Sequence, residues 1–149
     1  MTSRHGLELR AATGADTAGL HLLLAASGQD IAAPALATRL DALRQGAGTA
    51  LIALEWGPPS GIVALHWYRT LQADRPVAQI DLLLVGPENR RRSIGRLLVE
   101  AAAQAARSAG CGSLDIAAPD HQASMRAFCH ALGFQEIGLR FSRALRKRR

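Results

Sequence analysis

The sequence predicts a single α/β (α+β) domain over residues 1–149, with a mixed, mostly antiparallel central sheet covered by helices on both faces. Three observations support this prediction. Strand-type runs near the middle of the chain follow one another through short turns, a long amphipathic helix follows the most apolar strand, and two helix-then-strand units come after that strand. A chain of 149 residues is long enough for one core and short for two domains.

The N-terminal part predicts one short strand and two helices. Residues 7–10 have strand-type composition, and Thr13 and Asp16 can cap the helix that follows. Gly28 ends this first helix, and Pro34 suits the first turn of the second. Apolar side chains recur at helical spacing on one face of each helix: Leu20, Leu23 and Leu24, then Leu36, Leu40 and Leu43.

The middle of the chain predicts a hairpin and a central strand. Residues 49–55 and 62–68 are strand-type runs joined by the turn-forming sequence Gly-Pro-Pro-Ser-Gly. Residues 77–85 form an apolar run that Gln79 and Asp81 interrupt, which is typical of a central strand.

The C-terminal part predicts two helix-then-strand units and a last strand. Residues 93–109 carry apolar side chains at i, i+3, i+4 and i+7, which indicates an amphipathic helix. A short strand is expected at 114–117, followed by a helix that ends at Gly133. One face of that helix is lined by Met125, Phe128, Cys129 and Leu132. Residues 134–139 and 141–145 are expected to complete the sheet.

Arginine carries nearly all of the formal net charge of +6, since Lys147 is the only lysine. Guanidinium groups bind phosphate and carboxylate in bidentate fashion, so an anionic ligand is one explanation, and a coding sequence that replaced Lys by Arg is the other. The aromatic content of 4% provides few stacking platforms for nucleic acid, and we expect no nucleic-acid partner. The basic tail at 146–149 is expected to be solvated.

The sequence predicts a cytoplasmic protein. It contains no apolar run of about 18 residues, and residues 1–10 lack an apolar signal segment, so no membrane association is expected. Cys111 and Cys129 make no disulfide framework and are expected to be free thiols in a reducing compartment. Together with the histidines they match no familiar metal-ligand spacing, so no metal is expected.

The segment that follows the central strand predicts an anion site at the start of a long helix. The first turn of a helix has unpaired N–H groups and about half a positive charge, which together attract phosphate. Gly95 lets the backbone approach a ligand closely, and further charge comes from Arg90, Arg91, Arg92 and Arg96. The alternative is a strand-to-helix turn whose basic side chains are only solvated.

This segment resembles the acyl-CoA-binding motif of the GNAT N-acetyltransferases, which reads Arg or Gln, two residues, Gly, one residue, then Gly or Ala. Arg90 and Gly95 fit the ends of that pattern, whereas Ser93 stands where the first glycine is usual. A second stretch, residues 121–134, looks like the family's later helix and has its Leu-Gly-Phe ending. The two motifs at the proper separation extend the resemblance over about residues 49–145.

The resemblance implies a GNAT-type fold with acetyl-CoA as cosubstrate. In the family the pantetheine arm lies along the central strand, here at Leu83, Leu84 and Val85, and a backbone N–H near Val85 would face the thioester carbonyl. The other cofactor-binding positions that the resemblance implies are Arg90, Arg91, Arg92, Ser93, Ile94, Gly95, Arg96 and Gln122.

Asp81 and Cys129 are the candidate catalytic residues. An amine must lose its proton before it attacks, and an ordinary alkylamine has a pKa of about 10, so the site needs a base. Asp81 is the one carboxylate in the apolar central strand; the alternative is a core-edge carboxylate bonded to backbone or Arg. Cys129 stands where the family has the tyrosine that protonates the leaving thiolate, so it is either a weak acid or a buried packing residue.

Five more side chains near these motifs have simpler expected roles. Glu88 is expected to be structural or solvent-facing, and His21 and His66 are expected to be satisfied residues at the edge of the core. Trp67 and Tyr68 either line the acceptor pocket or pack the hairpin.

The leading functional hypothesis is an N-acetyltransferase that acts by direct attack of a primary amine of a small molecule or peptide. A catalytically weak CoA-binding sensor with the same fold stays open, motivated by Ser93 and Cys129, as does a basic nucleic-acid-binding protein, motivated by the Arg cluster. The acceptor pocket follows no general code, and both a monomer and a homodimer are compatible with the sequence.

Overall fold

The computed structural model describes residues 2–4, 6–87, 93–117 and 123–146. Two compact units are present, residues 1–117 and residues 118–149. The elements of the first unit are β1 (Thr2–Arg4), β2 (Leu7–Ala11), a 3₁₀ turn (Gly14–Asp16), α1 (Thr17–Ala26), α2 (Ala33–Gln45), β3 (Gly48–Leu54), β4 (Gly61–Tyr68), β5 (Val77–Val85), α3 (Ile94–Ser108) and β6 (Ser113–Ile116). The second unit contains α4 (Ala123–Ala131).

The six strands form one sheet in the order β1-β2-β3-β4-β5-β6. Every neighbouring pair is antiparallel except β5 and β6, which are parallel because α3 connects them. The predicted mixed, mostly antiparallel sheet is therefore confirmed, and the β3–β4 hairpin begins and ends within one residue of its predicted bounds. Strand β1 was not predicted from the sequence.

Helices cover both faces of this sheet, as predicted. On one face, α1 and α2 pack on the strands through a cluster of buried side chains: Ala12, Leu20, Leu23, Leu40, Ala50, Ile52 and Ile62. On the other face lies α3, whose Ile94 and Leu98 are fully buried and face Gly61 of β4. Because side chains alternate along a strand, Val63 and Leu65 share the α3 face with Gly61, and both are fully buried.

The turn between β2 and α1 is held by a bidentate ion pair. Nη1 and Nη2 of Arg10 donate to the two carboxylate oxygens of Asp16 at 2.8 and 2.7 Å, and the Thr13 N–H donates to Asp16 at 2.8 Å. These hydrogen bonds, with the Arg10 contribution the largest, lower the pKa of Asp16 from 3.8 to about 2. Thr13 and Asp16 thus form a capping box on the 3₁₀ turn that leads into α1, whereas the Asp16 side chain makes no capping hydrogen bond at the start of α1 itself.

The two final strands predicted at 134–139 and 141–145 are wrong: the described residues after α4 contain no strand. The apolar side chains that suggested strands are present at the surface, and Ile137, Leu139 and Phe141 are each more than four-fifths exposed. Alternation predicts only which side chains share a face, whereas a strand also needs a partner for its backbone. Gly138, at a φ of +150°, also departs from strand geometry.

Candidate active site

The strand pairing of β4 and β5 contains a β-bulge at Asp81. Ala64 pairs with Leu82 and Leu65 pairs with Ile80, so Asp81 is an extra residue that opposes no residue of β4. A bulge bends its strand and re-aims the extra side chain. As a result Asp81 is exposed on a strand whose neighbours on either side, Ile80 and Leu82, are buried and half-buried.

Asp81 lies in a polar cluster with side chains from both strands. Nδ1 of His66 is 2.6 Å from Oδ2 of Asp81, and Nε2 of Gln79 donates to Oδ1 at 3.3 Å. The rings of His66 and Tyr68 stack with centroids 5.4 Å apart. Side-chain exposures of 39% for His66 and 43% for Asp81 leave both accessible to a ligand from solution. The cluster continues the face of β4 on which Ile62 and Ala64 pack against the α1–α2 side.

Two members of this cluster, Asp81 and His66, were singled out from the sequence. Asp81 was predicted as the candidate base, with a core-edge carboxylate bonded to backbone or Arg as the alternative, and its closest partner in the structure is His66. His66 was predicted to be a satisfied residue at the edge of the core, and its half-buried ring with a hydrogen bond to Asp81 agrees with that prediction. The alternation of β4 could have placed His66 on this face, but the bulge that adds Asp81 has no sequence signature.

Beyond the bulge, the backbone of β5 is open on the side away from β4. Strand β6 pairs only with Val77–Ile80, so no described strand covers that side of residues 81–85. The Gly86 N–H donates to Ser60 on the β4 side, and successive residues of a strand point their N–H groups to opposite edges. The N–H groups of Leu83 and Val85 therefore point to the open side, at two of the three predicted cofactor positions.

Helix α3 is the next element along the chain after β5. Ser93, its N-cap, has φ 61° and ψ 19°, and is the one non-glycine residue with positive φ in the described ranges. Its side chain makes no capping hydrogen bond to the first-turn amides of Ile94, Gly95 and Arg96. Ser93 thus takes the left-handed conformation that favours glycine. This conformation explains why the predicted motif usually has a glycine at the position where Ser93 stands.

Side chains around this helix start differ in their exposure. Ile94 is buried in the α3 core, and Gly95 is half-buried. Nε of Arg96 donates to Glu100 at 3.2 Å in an exposed i, i+4 pair. The predicted positions Glu88, Arg90, Arg91, Arg92 and Gln122 lie outside the described residues.

Cys129 is the buried residue of α4 in the second unit. Burial raises the pKa of its thiol, so the sulfur stays protonated at neutral pH. His130, its chain neighbour, is exposed and lies 3.7 Å from Glu136, which also pairs with Arg126 at 3.1 Å.

Three further residues considered from the sequence also have defined surroundings. Nδ1 of His21 is 2.7 Å from the Ile31 carbonyl oxygen, which ties α1 to the segment before α2, in keeping with the predicted satisfied role. Trp67 and Tyr68 line a surface cavity of about 380 Å³, together with Ala47, Arg69, Pro76 and Ala109.

A bulged central strand with an open edge, followed along the chain by the start of α3, is the arrangement that the acyl-CoA-binding motif predicts for an acetyltransferase. The family model described as "Acetyltransferase (GNAT) family" matches residues 21–134, and the chain belongs to this family. No curated protein sequence matches the chain.

Three solved structures illustrate the similarity of fold. An acetyltransferase from Trypanosoma brucei has a TM-score of 0.81 at 22% identity, covering 93% of this chain and 99% of that one. A ribosomal-protein-alanine N-acetyltransferase from Brucella melitensis biovar Abortus has a TM-score of 0.78 at 19% identity, covering 95% of this chain and 100% of that one. An aminoglycoside acetyltransferase from an uncultured soil metagenomic sample, in complex with sisomicin, has a TM-score of 0.78 at 18% identity. The match covers 95% of this chain and 97% of that one.

Two kinds of feature are absent from the described residues. No helix there is both long and apolar enough to cross a membrane. No group of three or more His, Cys, Asp or Glu side chains in those ranges can hold a metal ion.

Proposed function

We propose that the protein transfers an acetyl group from acetyl-CoA to a primary amine of a small molecule or peptide by direct attack. The observation that carries this proposal is the succession along the chain of an open strand edge at β5 and a helix start that the Ser93 side chain does not cap. An extended arm can pair with the first, and a diphosphate can bind the second. Acetyl-CoA, the cosubstrate of the family, supplies an activated acyl group on such an arm.

The backbone of β5 is proposed to hold the pantetheine arm. The N–H groups of Leu83 and Val85 point to the open side, and Leu84 between them completes the strand that the arm would extend. An N–H group directed at the thioester oxygen would stabilise the negative charge that develops there, an effect of about 3 kcal/mol per donor in comparable sites.

The start of α3 is proposed to hold the diphosphate. The amides of Ile94, Gly95 and Arg96, after Ser93, are oriented along the helix axis toward the ligand. Arg96 can exchange its exposed partner Glu100 for a phosphate, since such surface pairs contribute only about 0.2–1 kcal/mol. We further propose Arg90, Arg91, Arg92 and Gln122 as cofactor contacts.

Proton transfer is proposed to take place at the bulge and at α4. The Asp81 cluster is the base that frees the amine lone pair, and its exposure lets an acceptor approach. The Cys129 thiol, held protonated by burial, is proposed to supply a proton to the departing CoA sulfur, with a packing role as its alternative.

The acceptor class, location and assembly are also proposals. The names of two similar structures refer to an aminoglycoside and to a ribosomal-protein alanine, both acceptors that present amines. We propose an amine acceptor here on the same chemistry, in a cytoplasmic protein of one functional domain that is a monomer or a homodimer.

Calorimetric titration with acetyl-CoA tests the cofactor site. Gly95→Glu places a carboxylate in the first turn of α3, and we expect it to weaken binding by at least about tenfold, or about 1.4 kcal/mol. Gly14→Glu is the matched control, because a side chain at Gly14 meets no atom within 4 Å, and it should bind like the wild type. If the wild-type protein does not bind acetyl-CoA, the proposed function is wrong.

Turnover distinguishes the enzyme from the sensor alternative. Free thiol is measured while an amine panel of aminoglycosides, polyamines, amino acids and N-terminal peptides is supplied with acetyl-CoA. Release of thiol that depends on one amine class supports the enzyme. The sensor alternative is favoured by the strained Ser93 at the cofactor site, and tight CoA binding with no turnover across the panel would support it.

A further inference from the structure

His66 is a second titratable side chain at the bulge, and its two ring nitrogens differ in their surroundings. Nδ1 lies 2.6 Å from Oδ2 of Asp81. A carboxylate oxygen accepts hydrogen bonds, so Nδ1 is the nitrogen that carries the proton. In the neutral ring, Nε2 then holds the lone pair, and no described residue makes a hydrogen bond with it.

We propose that Nε2 of His66 is the atom that accepts the proton of the attacking amine, and that Asp81 is a positioning residue that holds the ring in this tautomer. This inference rests on the proposed acetyl transfer. It assigns the role of base within the Asp81 cluster to His66, the residue that touches the substrate.

The proton and electron balance of the step is complete. The ammonium form of the acceptor gives one proton to Nε2, and the freed lone pair forms the C–N bond at the thioester carbonyl carbon. The C–S bond breaks, and its electron pair leaves with the CoA sulfur. A second proton, lost from the same nitrogen, balances the one that the CoA sulfur takes up, so the products are the amide, the CoA thiol and a protonated His66.

The arrangement of the cluster favours His66 over Asp81 as the acceptor atom. Both carboxylate oxygens of Asp81 already accept hydrogen bonds, one from His66 and one from Gln79. Stacking on Tyr68, with the rings inclined by 26°, restrains the plane of the His66 ring. A carboxylate that fixes the tautomer of a histidine is the arrangement by which a general base is oriented in several enzyme classes.

Steady-state kinetics of matched variants test the assignment. His66→Asn keeps a donor for Asp81 but removes the base, and we expect kcat to fall by at least about 100-fold with KM for acetyl-CoA within about twofold. Asp81→Asn is expected to lower kcat by about 10–100-fold. Two control variants should retain wild-type kcat. His130→Gln changes an exposed histidine of the second unit, and Asp74→Asn changes an exposed loop residue.

Chemical rescue separates a catalytic role from a structural one. The His66→Ala variant leaves space at a partly exposed position, and added imidazole should restore part of kcat if the ring acts only as a base. A structural loss would not respond to imidazole. Retention of kcat in His66→Asn overturns the proposal, as does an inactive Asp81→Asn beside an active His66→Asn, because Asp81 would then be the base itself.

The tautomer of His66 can be read without any substrate. Long-range ¹H–¹⁵N NMR spectra of the histidines, assigned through the His66→Asn variant and recorded at a pH where the ring is neutral, should show the His66 proton on Nδ1. Asp81→Asn should move the proton to Nε2. A wild-type His66 with its proton on Nε2 overturns the proposal. Absence of acetyl-CoA binding in calorimetry refutes the proposed function and this inference with it, whereas binding and turnover with an unaffected His66→Asn refute the inference alone.

Discussion

Ser93 provides a direct test of backbone strain at the start of α3. Its φ of 61° lies in the left-handed region, where the Cβ of an L-residue crowds the following carbonyl oxygen. The side chain is exposed and makes no capping hydrogen bond that would offset this cost. Replacement by glycine should therefore stabilise the protein, because it removes the Cβ and loses no capping hydrogen bond.

The expected magnitude follows from two opposing contributions. A left-handed conformation costs a residue with a Cβ about 1–2 kcal/mol, which Ser93→Gly recovers. Glycine also increases the conformational freedom of the unfolded chain, which offsets about 0.4–1 kcal/mol. The net gain should be about 0.5–1 kcal/mol in the free energy of unfolding, which corresponds to a rise in Tm of about 1–4 °C for a domain of this size.

Urea unfolding followed by circular dichroism measures this difference, with thermal melts as a second measurement. Ser93→Ala is the matched control: it removes the hydroxyl but keeps the Cβ, so its stability should stay within about 0.5 kcal/mol of wild type. Equal stability of the glycine and alanine variants would refute the argument, because the Cβ at this φ would then carry no cost.

Three further variants test the packing and the ion pair. Asp16→Asn should lower stability by about 2 kcal/mol at neutral pH, since the folded-state pKa is lowered from 3.8 to about 2. That stabilisation is present above pH 3.8 and is lost as the pH falls through about 2, so unfolding curves of variant and wild type should converge in strong acid. Leu98→Ala removes a fully buried side chain and should cost about 2–5 kcal/mol by urea unfolding. Gly48→Ala should lower Tm, because the added Cβ would lie 2.8 Å from the Leu65 carbonyl oxygen, while Gly14→Ala meets no such atom and should not.

Features that depend on local sequence were predicted well. The β3–β4 hairpin is fixed by two β-type runs and a turn rich in Gly and Pro, and α3 by an apolar stripe that its buried Leu98 and Ala102 confirm. The start of α3 also follows from local signals, since the chain must leave β5 and begin a helix within a few residues. These elements carry the information for their own conformation.

Features that depend on pairing between distant residues were predicted less well. Residues 134–145 alternate like a strand, yet the described residues show no partner for them, because alternation contains no information on pairing. The partnership of His66 with Asp81 was missed for the same reason: it depends on the register between β4 and β5. The family resemblance, in contrast, rested on short motifs that need no register, and it was confirmed.

The bulge explains how one strand can serve both the core and the candidate site. In a regular ladder, Asp81 would oppose Leu65, whose side chain is buried on the α3 face, and the carboxylate would be buried with it. The extra residue instead keeps Ile80 buried on that face and returns Leu82 to the α1–α2 side, while Asp81 reaches His66. The polar cluster therefore adds no uncompensated charge to either apolar layer, so its residues can be exchanged for neutral ones with little effect on folding. This separation makes the loss of kcat in His66→Asn interpretable as chemistry rather than as unfolding.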